Sequence, residues 1–208
     1  MSKKEDGDLG HAFDAAGAFD VIAIAASAGG LNALGLVLSG LPESFPSAVL
    51  VVQHLDPRHP SFLADILKRR TALQVKEAEE GDRLRLGTVF IAPPNRHLLV
   101  NPDGTIALTQ TELVHFVRPS ADLMFESVAA VYRDRAIAVV LSGSGSDGSM
   151  GVGAIKKMGG TVIVQDEKSS EFFGMPGAAI QTGNVDLVLP LPQIPLTLVR
   201  LVTKGGPA

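Results

Sequence analysis

Short apolar runs alternate with amphipathic stretches from residue 21 onward. Val21–Ala26, Ala48–Val52, Val89–Ala92, Ala136–Leu141, Thr161–Val164 and Val185–Leu189 are rich in β-branched side chains and bounded by Gly or Pro. Runs this short, with helical patterns between them, predict strands buried on both faces. Leu31–Leu38 reads as one helix and Ser61 opens another through Ile66 to Arg70. Pro119, Ser120 and Asp122 suit the start of a third over 119–132. His97–Leu108 breaks the pattern, because two strand-like pieces flank Pro102-Asp103-Gly104, a hairpin signal. The expected fold is α/β: a doubly wound, mainly parallel sheet of about six or seven strands, helices on both faces, one inserted antiparallel hairpin. Residues 1–19 mix charge, Gly and Ala without period and predict a disordered tail. Residues 20–203 then form one domain, and 204–208 a flexible end.

Composition narrows the class. Of 208 residues 46% are hydrophobic and 19% charged, enough apolar material for a single sizeable core. The formal charge of −4 and the lack of a basic run longer than Lys68-Arg69-Arg70 argue against nucleic acid as a partner. The longest apolar runs fall far short of the ~18 residues a membrane span needs, and no signal-peptide pattern opens the chain. The expected location is the cytoplasm. Cysteine is absent, which removes disulfides, Cys-based metal sites and thiol nucleophiles.

In an open α/β sheet, chemistry gathers beyond the carboxyl ends of the strands. Ser27 ends the first run, Gln53-His54 the second, and the run at 136–141 leads into Ser142-Gly-Ser-Gly-Ser-Asp147-Gly148. A serine, a histidine and an aspartate at three strand ends supply a nucleophile, a base and an orienting acid. Around Ser27, Ala25 and Gly29 keep the flanks small, as a sharp strand-to-helix elbow requires. Backbone N–H groups at Ala28 and in the loop around Ser144 are candidates for binding an oxyanion. Simpler roles stay open: Ser27 as a helix cap, His54 as a bonded histidine at a strand end, Asp147 as a turn residue. His97 is a rival base. His11, His59 and His115 read as structural or solvated, and Asp56 is too near His54 in sequence to reach round its ring. The dinucleotide fingerprint is not met after the first run, no Walker lysine motif occurs, and no cluster has metal-ligand spacing. Neither a cofactor nor a metal is expected.

These segments resemble a known family. Ala26-Ser27-Ala28-Gly29-Gly30, Val51-Val52-Gln53-His54-Leu55, Arg118-Pro119-Ser120-Ala121-Asp122 and Leu141–Gly148, with Gln165-Asp166-Glu167 and Phe173-Gly174-Met175-Pro176, are similar to the catalytic domain of CheB-type chemotaxis protein-glutamate methylesterases. The resemblance implies hydrolysis of glutamyl methyl esters on the signalling helices of methylated chemoreceptors, or on related sensory proteins. Some members also deamidate receptor glutamines. It assigns the nucleophile to Ser27, the base to His54 and the acid to Asp147. Ala28 and Ser144 depart from the family pattern, which has Thr and Met there. Two alternatives therefore stand beside the esterase: a non-catalytic docking module of the same fold, and an esterase or amidase for small molecules. Only about 20 residues precede the first strand, too few for the family's receiver domain. The expectation is an open site, control by a separate regulatory protein, or a chain that is a piece of a longer protein.

Overall fold

A computed structural model describes residues 19–55 and 61–204. Most of the expected tail, with His11, and the segment holding Asp56 and His59 lie outside the described residues, as do residues 205–208. Phe19, counted with the tail on sequence, is buried and belongs to the same core cluster as Ile22, Leu34 and Leu38.

Seven parallel strands make one sheet in the order β3-β4-β2-β1-β7-β8-β9. They are β1 (Val21–Ala26), β2 (Ala48–Gln53), β3 (Gln74–Glu77), β4 (Thr88–Ile91), β7 (Ala136–Val140), β8 (Thr161–Gln165) and β9 (Leu187–Leu189). Two further strands, β5 (His97–Val100) and β6 (Ile106–Thr109), form a separate antiparallel hairpin. Among the described residues the six α-helices are α1 (Gly30–Ser39), α2 (Leu63–Lys68), α3 (Ala121–Tyr132), α4 (Ser149–Lys157), α5 (Gly174–Gln181) and α6 (Ile194–Lys204).

The period-2 geometry of the central strands divides the core in two. Val21, Ala23 and Ala25 face one way and pack with α3, α4 and the hairpin. Ile22, Ile24 and Ala26 face the other way, against α1, α2 and α6. Both faces are covered, so the central strands are apolar throughout, as parallel sheets require.

Chain order reverses around β1, which pairs with β2 on one side and β7 on the other. The carboxyl ends of these three strands therefore open onto one crevice. Among the described residues no helix is long and apolar enough to cross a membrane.

Candidate active site

Ser27 occupies the turn from β1 into α1. Its N–H donates to the Ser142 carbonyl at 3.0 Å, and its own carbonyl accepts from Gly30 N–H at 2.8 Å. Gly29 caps α1 with φ of +74°. A side chain there would be strained and would also collide, since its Cβ would stand 2.7 Å from Ser142 Oγ and 2.8 Å from Glu171 Cβ. Gly143 backs Ser27 from β7's side: a Cβ there would lie 2.9 Å from Ser27 Cβ and would collide with Met175 Sδ. Small residues are thus needed on both sides of the serine.

His54 stands one residue past β2, and its N–H donates to the Ala26 carbonyl at 3.1 Å. The Gln53 carboxamide binds the carbonyls of Ser27 (2.8 Å) and His54 (3.0 Å), locking the two strand ends together. The imidazole Nε2 meets Asp147 Oδ2 at 2.8 Å. His54 Nδ1 has no partner among the described residues, and Ser27 Oγ makes no hydrogen bond to His54 in this structure. Nucleophile–base contacts of this kind are often loose until substrate arrives.

Asp147 is almost fully buried, at 3% exposure. The amino end of α3 surrounds it with donors. Ala121 N–H reaches Oδ2 at 2.6 Å, while Ser120 Oγ (2.8 Å) and Asp122 N–H (3.2 Å) reach Oδ1. Burial alone would raise its pKa; the bonds from His54, Ala121 and Ser120 outweigh that and hold the carboxyl below its ordinary value. The positive end of the helix dipole acts in the same direction. The aspartate therefore stays charged and aims the imidazole.

His97, the rival base, is fully buried in β5. Its Nδ1 accepts from Ser120 N–H at 3.1 Å and its Nε2 donates to the Glu112 carbonyl at 3.0 Å. Burial pushes its pKa down, which keeps Nδ1 free to accept. Its work is to position Ser120, two bonds removed from His54. His115 pairs with the buried Asp122 carboxylate at 3.4 Å and not with Asp147. Sequence reasoning missed the cradle formed by Ser120, Ala121 and Asp122, although it placed the helix start there.

The candidate oxyanion donors divide. The N–H of Gly143 is held by the Phe172 carbonyl at 3.0 Å. Those of Ala28 and Ser144 have no partner among the described residues. Ser142 Oγ donates to the Ala28 carbonyl at 2.8 Å, and Ser142 N–H donates to Gln165 Oε1 at 2.8 Å, so the two loops are held as a unit. A cavity of about 480 Å³ opens beside Ser27, with Gly29, Gln53 and Glu171 in its lining. Among the described residues no three His, Asp or Glu side chains converge as a metal site would need.

Residues 22–198 match the model of the CheB methylesterase family. A protein-glutamate methylesterase/protein-glutamine glutaminase of Pyrococcus abyssi is 44% identical over 190 residues, 89% of this chain and 52% of its own. A Leptospira interrogans protein, given the same double name provisionally, is 40% identical over 183 residues, 88% of this chain and 95% of its own. This chain therefore spans nearly all of one relative and about half of the other. The crystal structure of the Thermotoga maritima CheB methylesterase catalytic domain superposes with a TM-score of 0.85 at 37% identity, covering 88% of this chain and 99% of that one.

Proposed function

The chain belongs to the CheB methylesterase family, and we propose that it is a protein-glutamate methylesterase acting through Ser27, His54 and Asp147. Its substrates are the methylated glutamates of chemoreceptors, in the cytoplasm, with deamidation of glutamine as a second activity of the same site. The relatives' double name supports both reactions. The observation that carries the assignment of residues is the buried His54–Asp147 pair, held by the amino end of α3 beside the Ser27 turn.

Ser27 Oγ attacks the ester carbonyl, and His54 takes the hydroxyl proton. Because Nε2 is engaged by Asp147, the nitrogen that takes it is Nδ1. Asp147 fixes this tautomer and stabilises the imidazolium. The tetrahedral oxyanion is bound by the open N–H groups of Ala28 and Ser144, each such donor being worth about 3–4 kcal/mol. His54 returns the proton to the departing methoxide, and methanol leaves. Water then attacks the acyl-enzyme with His54 again as base, freeing the glutamate carboxylate and restoring Ser27. Both oxyanion donors are backbone groups, so Ala and Ser at positions 28 and 144 can serve without the side chains more usual in the family.

A fluorophosphonate probe tests the assignment. Stoichiometric labelling that maps to Ser27 is the expected result. A folded protein that stays unlabelled would make the chain a docking module.

A further inference from the structure

The cavity beside Ser27 is large for the ester it would receive. At about 480 Å³ it falls within the range of sites for whole small ligands, ~300–1,000 Å³, whereas a methylated glutamate side chain is short and thin. Its walls are uneven in chemistry. Leu31, Leu55, Phe62, Leu63 and Ile66 give it an apolar lining. Three of these stand on or just before α2, and Phe62 remains 67% exposed. Among the described residues the only charged side chain in the lining is Glu171, beside Gly29. Gln53 is 5% exposed, and its buried Oε1 has no hydrogen-bond partner among the described residues.

Ser27 is itself part of this lining. An occupant during turnover must therefore sit beside the ester at the nucleophile, which points to the substrate polypeptide itself. The walls select its chemistry. An acidic group would face the Glu171 carboxylate, whereas an apolar side chain would cover Phe62, Leu55 and Ile66. On a helix, residues one turn apart are ~5–6 Å neighbours, so a side chain one turn from the esterified glutamate is within reach.

Resting on the methylesterase reading above, we infer that this cavity is a specificity subsite for a large uncharged side chain (Leu, Ile, Met or Phe) one helical turn from the methylated glutamate. It discriminates among methylation sites on one receptor by what flanks them.

The test uses two helical peptides bearing a γ-methyl glutamate, identical except for Leu or Ala one turn away on both sides. Methanol release gives kcat/KM for each. The wild type should prefer the Leu peptide by about tenfold, the scale on which apolar pockets discriminate. Phe62→Ala, which removes an exposed wall, and Ile66→Trp, which fills the space, should each bring the ratio to within about twofold. Thermal melts confirm that both variants fold. Equal rates on the two peptides in the wild type, or a preference that survives both substitutions, would overturn the subsite. If the wild type cleaves neither peptide, the methylesterase reading falls, and the subsite with it.

Discussion

Four groups converge on Asp147: the His54 ring and three donors from residues 120–122. Every one of them favours the ionised carboxylate. Asp147→Asn would turn an amide N–H₂ toward donors and lose the charge opposite the imidazolium. We expect kcat to fall about 10³–10⁴-fold with KM little changed, as steady-state methanol release would measure. An unchanged kcat would remove Asp147 from the mechanism. At this scale the sequence was informative about types and poor about partners. The places of Ser27, His54 and Asp147 beyond three strand ends were legible because each follows a recognisable strand run. The roles of His97 and Ser120 were not, because they depend on contacts 23 and 27 residues away along the chain. A fully buried histidine and a histidine at a strand end look alike in sequence.

Among the elements, α3 carries the clearest functional duty. Ser120 Oγ accepts from Leu123 N–H at the helix start and donates to Asp147. Ser120→Ala should therefore lower stability by about 1 kcal/mol as a lost cap and also lower kcat several-fold. Denaturation and turnover measured on the same sample separate the two effects; loss of stability alone would make the serine a cap only. Gly143→Ala should act more severely on activity, about tenfold or more, by pressing on Ser27 Cβ and Met175. The strands read from apolar runs match the sheet within a residue or two. β3 escaped because it is an edge strand whose Gln74-Val75-Lys76-Glu77 sequence buries only Val75. Helix α4 was hidden by Gly151 and Gly153, which weaken its propensity; Gly151 is needed because a Cβ there would meet Phe125 and the Asp122 backbone. The hairpin was legible from Pro102-Asp103-Gly104, but its place as a sheet of its own beside α3 is a matter of tertiary packing.

For the molecule as a whole, two buried groups near the site titrate in opposing directions. Burial lifts Asp122 to about 6; Gly151 N–H and His115 oppose the rise and Asp147 adds to it. The folded state then holds this proton more tightly than the unfolded chain does. Its contribution is complete below the ordinary value of 3.8 and is lost as pH rises through about 6. His97 has the other sign: its lowered pKa means that stability is lost as pH falls below 6.5. The two partly cancel in the wild type. Asp122→Asn should therefore gain stability at pH 7.5, by up to about 3 kcal/mol, and gain little at pH 4. Urea unfolding at both values measures this, and an equal gain at each would contradict the account. Ser27, His54 and Asp147 sit where three strand ends meet, so the central claim is that this crevice performs serine-dependent ester hydrolysis. The most direct measurement is methanol released from methylated receptor by the wild type and by Ser27→Ala. The account predicts release by the first and a loss of about 10⁴-fold or more in the second, with the fold intact. Release by Ser27→Ala at the wild-type rate would contradict it.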